Sequence, residues 1–567
     1  MPYYCPAFKH EDNRLELEDG IPFVVRGITY DGSRLKNGTL CSSDVPYLQD
    51  LNVNALQSKL DPSENYSECM QILSDAGIYV VSAFTSKTQY FADSYPVWDA
   101  SLFEFFTSGI NALAKWKNLL GVRIEVALNA NHSGMDYTTQ SAPFIKRIVL
   151  DLRSYIISKG YRDIPIGHNI PDIAQEDSAI PEGILQYFSC WEDPANVFLT
   201  TTMKRCPHNG QVDDIISLAN KSSIPIWAEK LGCGWNSDPN GRDLRDAAQV
   251  FGRDGLNVLS GGVIYVYSGG RTNDTRLLED EGGDVTPLPA YTSVASILSQ
   301  VTPDPIISAP TSLKEASCST SGIVWPMIPT TLPPSPSNQT LCKCMMKVLD
   351  CHATMSLNTK SPDDLVGIFQ PLCGTENRNC PGIRVSPLDG VYGPYSICTS
   401  TERYSWAISW LEHTEGRPCT SDMNGVANTL SKVDDACASL ISEVGTGETG
   451  TTSKVSTTTI GATTTSTMST NSASSTVGSS SRLPAATIGG IATGVVVFLA
   501  LVFGSLIFLM RRKWKREKNK EQGNQVSMPS NSVWPPVKSG GEIRYEAPGI
   551  IPEMDSYGTQ HYVQLDG

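Results

Sequence analysis

Between residues 21 and 302 short apolar runs alternate with longer segments in which apolar positions recur every three or four residues. The runs PFVVRGITY, NVNALQS, GIYVVSAF, LLGVRIEVAL, DIPIGHNI, SIPIWAEK and GGVIYVYSG are rich in β-branched and aromatic residues, which predicts strands. The segments VPYLQDL, ECMQILSDA and FIKRIVLDLRSYIISKG lie between them and carry the helical period. Strands that alternate with helices imply a parallel sheet with crossover helices, and about 280 residues suit an α/β fold of the (β/α)8 TIM-barrel kind. A doubly wound open sheet is the other solution, but no Gly-x-Gly-x-x-Gly follows the first run, which lowers the odds of a dinucleotide fold.

Downstream the pattern changes four times. Residues 303–340 are rich in Pro, Ser and Thr and read as an extended linker after the 1–302 barrel. A cysteine-dense block spans 341–440, and 441–484 is almost pure Ser, Thr, Gly and Ala, a stalk too polar to bury a core. Residues 485–510 are apolar without one charge and are followed by RRKWKREKNK. That pattern predicts one transmembrane helix with the basic cluster, and hence the 511–567 tail, on the cytoplasmic side. A cleaved lipid-anchor signal is the rival reading, against which the basic cluster and the long tail speak.

Composition sharpens this topology. A net charge of −15 argues against a nucleic-acid partner, since phosphate binding needs clustered Lys and Arg. Eight of the 15 cysteines fall between Cys342 and Cys437, a density that predicts disulfides and an oxidising compartment. Zinc is the competing reading of LCKCMMKVLDC, which lacks the paired Cys-x-x-Cys spacing of such sites. Six Asn-x-Ser/Thr sequons, at Asn37, Asn65, Asn131, Asn220, Asn273 and Asn338, all lie upstream of the apolar segment and support an outward-facing glycoprotein. The expected placement is single-pass type I in the plasma membrane. No apolar h-region precedes the barrel, so the sequence as given is expected to start downstream of its signal peptide, with Cys5 as the odd cysteine.

Candidate chemistry centres on SIPIWAEKLGCGW, where an apolar run ends on the single carboxylate Glu229 and passes at once into Gly232 and Cys233. In a β/α barrel the C-terminal end of a strand is where catalytic side chains sit.

That stretch resembles the nucleophile motif of the fungal cell-wall β-1,3-glucanosyltransferases, glycoside hydrolase family 72, with one extra residue, since Lys230 and Leu231 stand where the family has one Tyr. The segments CSSDVPYLQDLNVNAL, SECMQILSDAGIYVV, KGYRDIPIGH, SGGVIYVY and VTPLPAY are similar to the family in order across residues 21–300. The block with LCKCMMKVLDC, PLCG, CPGI and GVYGPYSIC resembles the cysteine-rich carbohydrate-binding family 43 module, in which Tyr392, Tyr395, Tyr404, Trp406 and Trp410 could stack on sugars or fill a small core. The resemblance implies the barrel disulfides Cys41 with Cys69, Cys206 with Cys233, and Cys190 with Cys318. It also implies β-1,3-glucan as partner, a monomer, and neither metal nor organic cofactor.

The implied reaction is retaining sugar transfer, which uses two carboxylates about 5 Å apart, one as nucleophile and one as acid/base. Glu229 matches the nucleophile. The family's Asn-Glu-Val acid/base motif maps onto LLGVRIEVAL in two ways. Aligned without gaps from Gly121, the Asn-Glu pair falls on Val126 and Ala127, which transfer no proton; aligned on Glu-Val, Glu125 takes the role. Strand alternation keeps Glu125 on the face of position 127, about 7 Å deeper in the barrel. Pairing of Glu125 with Arg123 is the structural alternative to catalysis. Tyr30, Gln57, Tyr265 and Tyr267 occupy positions expected to bind substrate, with barrel packing as the other role for Tyr265 and Tyr267. Gln57 and Lys59 stand where the family has Arg and Tyr. These departures leave a second functional class open, a degenerate barrel that binds wall glucan as a tether or sensor.

Overall fold

The computed structural model describes residues 8–301 except 12–13, 18–21, 93–94, 128–133, 171–184, 186, 189–196, 203–210, 223, 233–241, 269–275 and 282–283; it also describes 332–444 except 429–433, and two short strands, Pro552–Met554 and Gln560–Tyr562. Eight parallel strands close into a barrel: β1 (Val25–Thr29), β2 (Ala55–Leu60), β3 (Tyr79–Phe84), β4 (Leu119–Ile124), β5 (Ile166–Ile170), β6 (Val197–Thr202), β7 (Ile226–Leu231) and β8 (Gly261–Ile264), with β8 pairing back onto β1. The expected TIM-type barrel is therefore present. The eighth strand is β6, whose VFLTTT is half threonine and so hides from a search for apolar runs.

Strand parity divides the core into two layers. Outward residues such as Ile28, Leu56, Val80, Ile166, Ile226 and Ala228 pack beneath the helices. Inward residues Val25, Ala55, Val81, Phe198, Trp227 and Val263, with Leu15 and Phe23 of the N-terminal segment, plug the lower barrel. Phe198 stacks on Trp227 with centroids 4.4 Å apart. The Phe198 ring occupies the space that a Cβ on Gly121 or Gly167 would need, at 2.8 and 2.2 Å. Glycine on β4 and β5 thus lets a large aromatic fill the floor, and the polar inward residues above it line the mouth.

Two register irregularities bear on that mouth. On β4, Val80 pairs with Leu119 and Val81 with Gly121, so one extra residue is taken up at Leu120. On β7, Ala228 pairs with Gly262 and Leu231 with Ile264, which leaves three steps against two. Lys230, at φ +59°, absorbs the difference as a β-bulge. The residue that lengthens the strand-end motif relative to the family is thus accommodated without shifting the strand below it.

The cysteine-rich block folds around helices Thr340–Val348, Pro362–Cys373, Ser400–Glu415 and Asp435–Val444. All eight of its cysteines are spent in disulfides, Cys342–Cys398, Cys344–Cys437, Cys351–Cys419 and Cys373–Cys380. Ser361 and Thr399 start their helices with capping boxes. In the barrel Cys41–Cys69 is formed as expected; Cys190, Cys206, Cys233 and Cys318 lie outside the described residues. The segment 485–510 also lies outside them, and among the described residues no helix is long and apolar enough to cross a membrane.

Candidate active site

Glu229 stands two residues above Trp227 on the inward face of β7 and is 1% exposed. Its Oε2 accepts from Arg123 Nη1 at 3.1 Å and from Asn169 Nδ2 at 3.5 Å. Asn169 is itself held, donating to Thr202 Oγ1 at 2.7 Å and to Thr200 Oγ1 at 3.2 Å. Among the described residues the other carboxylate oxygen, Oε1, has no hydrogen-bond partner. One oxygen is therefore fixed by β4 and β5 while the other is left to react.

The strand end is pinned from behind. Gly232, at φ +92°, donates its N–H to Asp246 Oδ2 at 2.8 Å, and Arg242 Nη2 donates to the carbonyls of Leu231 and Gly232 at 2.9 and 3.1 Å. A Cβ at position 232 would lie 2.6 Å from the Arg242 guanidinium. The Gly in this motif is required by both its backbone conformation and this close approach.

Glu125 follows β4 directly. The register runs Ile124 to His168, Ile170 to Thr201 and Thr202 to Glu229, so Glu125 starts two residues below the level of Glu229, about 7 Å along the strand. At that depth the carboxylate is not lost in the floor. Its Oε1 lies 2.8 Å from Lys59 Nζ, its Oε2 accepts from Arg123 Nη2 at 3.2 Å, and its side chain is 25% exposed. Arg123 thus bridges the two carboxylates with separate nitrogens of one guanidinium, which brings them within a single planar fork. Burial would raise the Glu125 carboxyl, but Lys59 and Arg123, with Lys230 farther off, outweigh it and hold it below the usual carboxylate range.

The four expected substrate-binding residues divide. Tyr30 and Tyr267 are corrected: they are 1% and 0% exposed and belong to the outer layer. They pack on each other at 5.2 Å, and Tyr30 donates to Asp44 at 2.5 Å in a buried network with Arg34. Tyr30 shares the parity of Ile28, so it faces the helices and cannot present its ring to a sugar. Gln57 shares the inward face with Ala55 and Lys59 and is 8% exposed, with Oε1 unpartnered among the described residues. Tyr265 is half-buried, with Lys230 Nζ 6.0 Å from its ring. Asn169 and Lys59 were not foreseen as site residues. Strand parity carried the signal: Asn169 is in phase with Gly167, and Lys59 with Gln57. Position 127, the other alignment of the acid/base, is an alanine at the end of the short strand Val126–Ala127.

In the module, Tyr395, Tyr404 and Trp406 are 3%, 5% and 5% exposed and form its core. Tyr392 packs edge-on against Phe144 of the barrel side at 5.8 Å. Trp410, stacked on Trp406 at 5.3 Å, is half-buried.

A closed β/α barrel with two acidic side chains joined at the C-terminal ends of β4 and β7 defines a glycosidase-type catalytic domain. The chain belongs to the glucanosyltransferase family, glycoside hydrolase family 72, whose model matches residues 7–302. It is 27% identical over 464 residues to a 1,3-beta-glucanosyltransferase of Arthroderma benhamiae, covering 76% of this chain and 82% of the relative. It is 29% identical over 473 residues to pH-responsive protein 2 of Candida albicans, covering 79% and 83%. Among solved structures, Saccharomyces cerevisiae Gas2p in complex with laminaripentaose shares the fold, with a TM-score of 0.62 at 24% identity over 75% of this chain and 98% of that one.

Proposed function

We propose that the protein is a cell-surface β-1,3-glucanosyltransferase that cleaves and religates β-1,3-glucan chains with retention during fungal cell-wall assembly. The observation that carries the reading is the state of Glu229, whose Oε2 is fixed by Arg123 and Asn169 while Oε1 is unpartnered among the described residues. In the first step Glu229 Oε1 bonds to the anomeric carbon as the glycosidic C–O bond breaks, and the leaving oxygen takes the electron pair and a proton from Glu125. In the second, an acceptor hydroxyl loses its proton to Glu125 as its oxygen displaces Glu229. Family membership and this nucleophile favour turnover over a purely glucan-binding barrel.

Around this activity we place the carbohydrate-binding family 43 module as a glucan-binding partner of the barrel, and residues 485–510 as the membrane anchor that keeps both on the wall side. Sequons, a polar stalk and the basic cluster after residue 510 support that orientation. Incubation with laminari-oligosaccharides is expected to give products both longer and shorter than the substrate. Glu229→Gln is expected to abolish them and Glu125→Gln to slow them by roughly two to four orders of magnitude. Full transfer by Glu229→Gln would refute the assignment.

A further inference from the structure

The proposed reaction needs Glu125 to hold a proton when the donor is cleaved, yet the resting site is built against it. Lys59 Nζ lies 2.8 Å from Oε1 and Arg123 Nη2 donates to Oε2 at 3.2 Å, so each oxygen is occupied by a cation. Among the described residues, the charged groups that face Glu125 are Lys59 from β2, Arg123 from its own strand, and Glu229 and Lys230 from β7. Three of these four are cations, and the one anion, Glu229, is already joined to Arg123.

The two cations differ in what they can do. Arg123 is 6% exposed and its fork is committed to both carboxylates, so moving it would undo the nucleophile as well. Lys59 sits on a flexible four-carbon stem, 19% exposed along its side chain, and its ammonium can turn toward another oxygen without disturbing Glu229.

We propose that Lys59 is a positioning residue of this reaction: its ammonium occupies Glu125 in the resting enzyme, and a bound donor sugar draws it away so that Glu125 can take up the proton it delivers. A sugar hydroxyl or ring oxygen is the group that replaces the carboxylate as acceptor for the ammonium. Glu125 then loses its strongest neighbouring cation, and its affinity for a proton rises in the complex relative to the free enzyme. Resting enzyme is thereby a poor acid toward anything that does not engage Lys59.

This inference rests on the transferase reading, and pH profiles test the two separately. The basic limb of kcat/KM reports the acid of the free enzyme, and that of kcat reports the acid of the complex. With laminari-oligosaccharide as the donor, the wild-type limb for kcat is expected to lie about one pH unit above that for kcat/KM, the size of effect one nearby cation exerts. In Lys59→Met the kcat/KM limb should rise to meet the kcat limb, whereas Lys59→Arg should keep the gap. Coincident limbs in an active wild type would overturn the role of Lys59 and leave the transferase reading intact. An inactive wild type would overturn both. Because coincident limbs in the wild type are enough to overturn the role of Lys59, the proposal stays falsifiable even if Lys59→Met fails to fold, and Lys59→Arg then assigns the gap.

Discussion

Asp99 of the barrel and Arg403 of the cysteine-rich module form a buried ion pair, with Arg403 Nη2 3.0 Å from Asp99 Oδ2 and side chains 6% and 0% exposed. Asp99 is also the N-cap of helix Ala100–Leu113, where its Oδ1 accepts from the Leu102 amide. Arg403 spends its remaining donors on the Cys398 carbonyl, Tyr95 Oη and Ser400 Oγ, and its guanidinium lies 5.3 Å from the Phe369 ring. The Ala100 amide donates to the Ile397 carbonyl at 2.9 Å beside it. Barrel and module are therefore joined through desolvated charge and backbone, not through a tether alone.

Breaking that pair from one side should be costly, because the surviving charge stays buried without its partner. Arg403→Met is expected to lower unfolding stability by about 3–5 kcal/mol. Adding Asp99→Asn, which keeps the helix cap, should return part of that loss. Urea unfolding of the two variants and the wild type checks this, and a loss below about 1 kcal/mol for Arg403→Met would show that the pair contributes little.

The barrel was legible because parallel strands are buried on both faces and read as apolar runs between helical segments. β6 escaped because its inward and outward threonines satisfy the strand geometry without an apolar signal. Glu229 was legible as the lone carboxylate at a strand end. Tyr30 is turned outward by parity, in phase with the outward Ile28, whereas Tyr267 is in phase with the inward Val263 but lies three residues beyond the end of β8, where strand alternation no longer fixes the side. Lys59 was noted only as a departure from the family, and its pairing with Glu125 depends on the closure of β2 toward β4 across the mouth, which no local pattern encodes. The cysteine count gave a disulfide framework, but eight cysteines allow 105 pairings, and only the fold selects one.

That pairing predicts unequal contributions from the four module disulfides. Cys344–Cys437 closes a separation of 93 residues and Cys373–Cys380 one of 7. If chain entropy governs, removing the first costs about 4.7 kcal/mol and the second about 2.5 kcal/mol. Thermal unfolding of the paired Cys→Ala variants should rank them in that order. Equal losses would mean that native packing around each bridge, and not loop length, sets its worth.

His168, next to Asn169 on β5 but turned to the outer layer, gives the fold a pH dependence of its own. It is 0% exposed, lies 4.0 Å from the Phe188 ring, and has Nε2 unpartnered among the described residues. Burial pushes the imidazole down to about 4, and nearby Lys146 adds to this against the Asn169 carbonyl. An unfolded chain would titrate this group near pH 6.5, so between these values the unfolded state binds the extra proton. The stabilisation is complete above about pH 6.5 and is lost as the pH falls through this window toward 4, by about 3 kcal/mol in all. His168→Leu replaces an unpartnered polar ring by an apolar side chain of similar bulk, so it should cost little at pH 7. Between pH 7 and pH 4 its stability should fall by about 3 kcal/mol less than that of the wild type, a difference that cancels the carboxylate titrations common to both. Chemical denaturation at the two pH values measures it, and equal losses in the two proteins would mean that His168 is charged in the fold and that a partner outside the described residues satisfies its Nε2.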